Sequence, residues 1–394
     1  MDTEPGLGLL EQLDSDDIFS EALADLPDAA NSPNALPNDW RNWRIEHAEP
    51  RPIEPITDLV AAAQSALAHP LASLRLAELC GEATRAAIVL GVASVELAHG
   101  LLLPVVDEIR MAGTLAQNIN VIVASAQQAD GLRASLAERA KLIVNAADDV
   151  REQDELGNVD GVPLAVNYRA SEADVLIAIT AVQPDLFANY TNAATNLIKT
   201  ATSTTTQNEL QAPRFLSDAA DWNGRVQELP YQRLAEEVAR RAGLRFAMSA
   251  LIDEQGDVLA VKAGEPMAVN ESLLPVAQAA READVSRDDY DVAFADVSVS
   301  AQSLFQASAA AAHLGNLTAS PILYGGLIVL QAQRDVAEAD PLAAQNFYDA
   351  MAQGGEADGV LQLLNRRSLK PGEDRAYLLA KAMEHYRVMW WATT

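Results

Sequence analysis

The sequence predicts an α/β protein of two domains, each built on a mainly parallel sheet flanked by helices. Three observations lead there. The run Val175-Leu176-Ile177-Ala178-Ile179 has the length and composition of a strand, and a polar loop and then the small-residue start of a helix, Ala193-Ala194-Thr195-Asn196, follow it. Strand, polar loop and helix start in that order are how open α/β folds build sites at the carboxyl ends of their strands. Between Asn270 and Leu330 the pattern alternates helix, strand, helix, strand, which implies a second, smaller parallel sheet. A chain of 394 residues is long enough for two or three cores.

Bulk composition narrows the function classes. Hydrophobic residues make up 49% of the chain and the net charge is -28. Such a charge cannot neutralise a row of phosphates, so nucleic acid and anionic membrane surfaces are disfavoured as partners. Cys80 is the only cysteine, which leaves no intrachain disulfide and no thiolate metal cluster. That usage, with an acidic N-terminus lacking the basic start of a signal peptide, leads us to expect a cytoplasmic protein.

Taken in order, residues 1–50 read as an acidic arm rich in Asp, Glu, Pro and Asn, with Trp40, Trp43 and Ile45 near its end. Docking of this arm onto the body or a second subunit is one role for it, and a solvated tail is the other. The first domain is expected over residues 51–243. Leu59 to Leu67 is amphipathic and helical; Ala86 to Val106 reads as buried helix with a break; Leu101 to Met111 is helix ending at Gly113. Asn120 to Ser125 is a buried-type strand, Gly131 to Ala140 helix and Leu142 to Val144 strand, with a polar stretch over Asp148 to Asp160. Ser203 to Gln211 reads as a polar connector and Tyr231 to Ala242 as an amphipathic helix. The second domain is expected over 244–394. It opens on a hairpin, Leu244 to Leu251 and Val258 to Val261, and closes on three helices, the last over Gly372 to Trp391. Met389, Trp390 and Trp391 read as packing onto a core or a partner.

The richest stretch, Gly161 to Thr205, carries Val166-Asn167, Glu172-Ala173-Asp174, Pro184 and Phe187-Ala188. In this order and spacing they resemble the nickel-dependent lactate racemase family, and the similarity extends over roughly residues 75 to 350. The resemblance implies a two-domain fold that moves a hydride off and onto the α-carbon of a 2-hydroxy acid. It implies a nickel pincer nucleotide tethered to a lysine, two catalytic histidines, a metal-binding histidine and an arginine that contacts anionic groups. In the family that arginine sits in an acidic-x-Thr-Arg turn after the first strand; Glu82, Thr84 and Arg85 match the turn, with Glu in place of the usual Asp. Gln128 stands nearest the first histidine position, Asp185 at the second and Thr195 at the tether. No histidine occurs around Asn208 to Gln211, where the metal ligand is expected. Gln306 matches a position of the second domain, while Phe305 lacks the usual hydroxyl and Ala309 replaces a lysine.

Proton abstraction near neutral pH needs a group that titrates there, and glutamine does not. Asp185 is a base only if burial raises its pKa. Lys199, one helical turn beyond Thr195, is a relocated tether or a solvent-facing lysine. Three hypotheses stand: a racemase-like protein without the pincer chemistry that binds a small carboxylate or phosphate or serves a regulatory or assembly role; a divergent racemase or epimerase using an untethered nickel pincer nucleotide; and a structural subunit assembling as a homo- or hetero-oligomer through the arm and the C-terminal tryptophans. The first implies no cofactor, and none of the three draws on a recognisable protein metal site.

Overall fold

The computed structural model describes residues 46, 52–185, 187–210, 230–253, 255–280, 289–297, 303–315, 320–333, 340–366 and 369–393. The acidic arm with Trp40 and Trp43 lies outside the described residues apart from Glu46. The chain divides into two units, one over residues 50–283 and one formed by 284–394 with the N-terminal residues.

The first unit is built on a six-stranded sheet. Its strands are β1 (Ala86–Gly91), β2 (Ile119–Val123), β3 (Lys141–Val144), β6 (Val175–Val182), β9 (Leu244–Ile252) and β10 (Val258–Gly264), in the order β10-β9-β6-β1-β2-β3. All neighbours are parallel except β10, which turns back on β9. Strand order reverses between β1 and β6, so the crevice beyond their carboxyl ends is where such a sheet places a site. β1 and β6 are buried on both faces, as their continuous Ala, Ile, Val and Leu content requires. Around the sheet lie α1 (Leu59–Ala68), α2 (Leu76–Leu79), α3 (Val95–Met111), α4 (Ala126–Leu136), α6 (Ala193–Ala201), α8 (Pro230–Ala242) and α9 (Pro266–Ala279). A side hairpin, β4 (Gln153–Val159) and β5 (Val162–Asn167), precedes the short α5 (Tyr168–Ser171); a small ladder, β7 (Pro184–Asp185) with β8 (Asn189–Tyr190), follows β6; and α7 (Thr204–Leu210) follows α6.

Several sequence-level expectations are corrected here. Ala86 to Val106 is not one broken helix: Ala86–Gly91 is a central strand, and a helix begins only at Val95, capped by Ser94. A short apolar run fits either state, and parallel pairing on both sides decides for the strand. The polar stretch before Asp160 contains β4, and the connector after Ser203 is α7. The hairpin from Leu244 belongs to the first sheet, because β9 pairs along β6 from Leu176↔Leu244 to Val182↔Leu251. That pairing moves the boundary between units from residue 243 to residue 283.

The second unit has a parallel sheet in the order β11-β12-β13, from β11 (Tyr290–Asp296), β12 (Ile322–Gln333) and β13 (Arg387–Thr393). Its helices are α10 (Leu304–Gly315), α11 (Pro341–Gly354), α12 (Ala357–Leu364) and α13 (Glu373–Met383). The last helix therefore stops at Met383, and Trp390 and Trp391 sit in a strand paired with Leu330 and Gln331. β-branched and aromatic residues suit that pleated position better than a helix interior.

One buried amide ties the crossover together. Asn196 of α6 donates from Nδ2 to the carbonyls of Val89 (3.3 Å) and Ile179 (3.0 Å), in neighbouring strands β1 and β6, and accepts from Thr200 Oγ1 at 2.8 Å. Gly91 has to be a glycine to admit it, since a Cβ there would fall 1.6 Å from Asn196 Oδ1. We expect Gly91→Ala to destabilise the fold by about 3 kcal/mol through overpacking. Urea unfolding followed by circular dichroism measures this; a wild-type midpoint would show that the amide relaxes freely.

Candidate functional site

The candidate site is the carboxyl edge of the first sheet, where β1, β2 and β6 end. Gln128 stands in the first turn of α4, which Ser125 caps by accepting from Gln128 N. Its side-chain amide donates to the carbonyls of Leu90 (3.3 Å) and Val92 (2.7 Å), so it closes the end of β1. An amide in this role has no protonation step near neutral pH.

Asp185 ends β7. Its carboxylate accepts from Phe187 N (3.0 Å) and Ala188 N (2.9 Å) and pairs with the Lys199 ammonium. The Asp185 side chain is 8% exposed and that of Lys199 41%. Burial is the largest influence and by itself raises the carboxyl pKa, but the lysine charge, its hydrogen bond and the two N–H donors together outweigh it and hold the pKa below the ordinary value. The condition for Asp185 as a base is thus not met, because the group is held ionised rather than poised near neutrality. Phe187 packs on Tyr231 with ring centroids 5.5 Å apart, and Gln232 donates to Ala188 O at 2.8 Å, which fixes this loop against α8.

Thr195 is fully buried. It closes a reciprocal cap on α6: Thr195 N donates to Asn192 Oδ1 (2.9 Å), Asn192 N donates to Thr195 Oγ1 (2.8 Å), and the hydroxyl donates to Asn192 O (3.0 Å). Every polar atom that the side chain offers is engaged.

Thr84 and Arg85 are not at this edge. They precede β1, whereas the loop that follows β1 is Val92-Ala93-Ser94. Arg85 is separated from the Leu90 carbonyl by about 17 Å of extended strand. Its guanidinium lies 3.4 Å from Asp174 and 3.6 Å from Glu172, all three side chains about half exposed, and its N–H donates to Asp174 at 2.8 Å. That N–H, followed by the guanidinium, lowers the Asp174 pKa. Thr84 Oγ1 accepts from Gly81 N at 2.8 Å and closes a turn. The arginine proposed to hold an anion is instead the partner of the Glu172-Ala173-Asp174 motif. Cys80, just before this turn, has its thiol pushed up to about 11 by burial and then by Glu108, so it stays protonated.

Gln306 belongs to the second unit, in the first turn of α10, where its N–H donates to Ser303 Oγ at 3.2 Å. Beside it Phe305 is buried under the Arg375 guanidinium, 4.6 Å from the ring centroid. Reasoning from sequence missed Asn196; an asparagine inside an otherwise small and apolar helix start was the available signal.

Residues 37–206 match the family profile described as the lactate racemase N-terminal domain. No curated protein matches the chain in sequence. Among solved structures, the lactate racemase apoprotein from Thermoanaerobacterium thermosaccharolyticum superposes with a TM-score of 0.74 at 17% identity, covering 91% of this chain and 86% of that one. The chain is similar to the lactate racemase N-terminal domain over residues 37–206, and it shares the fold of that apoprotein. A Thermotoga maritima protein solved by structural genomics superposes at 0.62 with 12% identity, covering 87% of this chain and 90% of that one. The lactate racemase domain match ends at Thr206, while the sheet that it begins is completed by β9 and β10 after residue 243.

A tethered nickel nucleotide does not fit the residues at this edge. Thr195 offers no amine and is sealed into a cap, Gln128 and Asp185 are not imidazoles, and among the described residues no group of three His, Cys, Asp or Glu side chains could hold a metal. No helix among the described residues is long and apolar enough to cross a membrane.

Two outcomes follow from the ion pairs. Because the native Asp185 pKa is depressed, its contribution to stability is present above the unfolded value near 3.9 and is lost as pH falls through the native value. Lys199→Met raises that native pKa, so acid unfolding, followed by tryptophan fluorescence, should begin at higher pH than in wild type. Arg85→Ala removes two exposed ion pairs, to Asp174 and Glu172, and keeps the backbone contact to Asp174. It should change stability by less than about 1 kcal/mol in chemical unfolding, and a larger loss would restore Arg85 as a key group.

Proposed function

We propose that this protein is a lactate racemase-like fold without the tethered pincer chemistry, acting as a binding, regulatory or assembly protein rather than as a racemase. The observation that supports this reading best is the Asn192–Thr195 cap: the position where a lysine tether is expected holds a fully buried threonine whose hydroxyl both donates and accepts within its own helix turn. Gln128, tied to the end of β1, and Asp185, ionised against Lys199, point the same way. General acid–base work requires groups that can exchange a proton near neutrality, and these two are held out of that range.

The competing reading, a racemase or epimerase with an untethered cofactor, needs no lysine at the tether position; Lys199, the candidate for a relocated tether, is partly exposed but already paired with Asp185. One experiment separates the two. The chain is produced in a host that makes the nickel pincer nucleotide, beside a lactate racemase as loading control, and each is analysed by native mass spectrometry with metal quantification. We expect apo-protein here, a loaded control, and no racemisation over a panel of 2-hydroxy acids. A stoichiometric nickel nucleotide on this chain, or turnover of any panel member, would sink the proposal.

A further inference from the structure

Between α8 and α9, with the first turn of α6 as its floor, the first unit encloses a groove of about 370 Å³. This is within the range that small ligands occupy. Its polar wall residues include Arg233, Glu236, Glu237 and Arg240 from α8 and Glu265 and Asn270 at the start of α9. Most of the charge on that wall is already paired. Glu237 accepts from Arg240 and Arg241 at 2.7–2.8 Å, and Glu265 caps α9 by accepting from Ala268 N at 2.8 Å.

Glu236 differs. It stands three residues after Arg233 and four before Arg240, the spacings at which helical neighbours pair. Neither guanidinium reaches it, and among the described residues it has no ion-pair or hydrogen-bond partner. Burial alone acts on this carboxyl, raising its pKa, with no neighbouring charge or donor to oppose the shift. A part-buried carboxylate that faces a cavity without a counter-ion bears a desolvation cost that a bound cation would offset. The chain's net charge of -28 also draws cations to its surface and repels anions.

We propose that this groove binds a small organic cation, a protonated primary amine, with Glu236 as its counter-ion and the Asn270 amide as a second contact. The Ala193, Ala194, Ala239 and Leu244 surfaces in the groove provide an apolar bed for a short alkyl chain. The groove opens between two helices and shares Asn192 of the α6 cap with the carboxyl edge of the sheet.

Isothermal titration of the full chain with 1,4-diaminobutane, beside its uncharged analogue 1,4-butanediol and sodium lactate, tests this. We expect saturable one-site binding of the diamine and none of the diol or of lactate at this groove. Glu236→Gln should weaken the diamine by about tenfold or more, as loss of a charge-assisted contact requires. Asn270→Leu, on the opposite wall, should weaken it independently and covers the case in which the first variant fails to fold. Absence of saturable diamine binding to wild type, equal affinity for the diol, or undiminished affinity in the folded variants would each overturn the proposal.

Discussion

The crossover between β1 and β6 depends on one side chain. In an open parallel sheet the two strands at the order reversal send their connections to opposite faces, so their carboxyl ends are left uncovered. Here the Asn196 amide bonds to carbonyls of both strands, and Gly91 leaves the space for it. Buried amides are costly unless all their groups are partnered, and Thr200 supplies the remaining donor. α6 is held down on the sheet at this point, and with it the Asn192–Thr195 cap and Lys199, one turn later.

Around that anchor several side chains serve the edge, while the buried Thr180 hydroxyl of β6 has no hydrogen-bond partner among the described residues. Gln128 serves the end of β1, and Asp185 serves both the loop after β7 and Lys199. Thr191 bridges the carbonyl of Ala181 (2.6 Å) and the N–H of Gln183 (3.0 Å) where β6 ends. Gln128 and Thr195 are engaged with backbone groups, and Asp185 with backbone and Lys199. Less committed charge in the first unit is at Glu236, in a groove whose floor is the first turn of α6.

Much of the architecture could be read from the residues. The strands at Ile119, Val175, Tyr290 and Ile322, the α8 helix ending at Gly243 and the β9–β10 hairpin all fall where periodicity and turn residues place them. Gly243, with φ of 78°, is in the left-handed region that a helix terminator needs. The failures share a cause. Ala86–Gly91 reads as the start of a buried helix, β13 reads as the tail of a helix, and β9 reads as the start of a new domain. In each, partners distant in sequence decided the outcome.

The candidate site divides in the same way. By itself the sequence offered Gln128, Asp185 and Thr195 as the residues nearest the family's histidine, histidine and lysine positions, with Lys199 one turn beyond the last. It also carried the motif on which the family resemblance rests. Only the tertiary structure decided that Arg85 lies at the amino end of β1, paired with Glu172 and Asp174, because which end of a strand a residue occupies depends on where the strand begins. Only packing could settle the sign of the Asp185 shift, since burial and Lys199 act in opposite directions and their balance is set by distance and solvent exposure. Residue type fixes what chemistry a side chain can do; its neighbours in three dimensions fix whether it is free to do it.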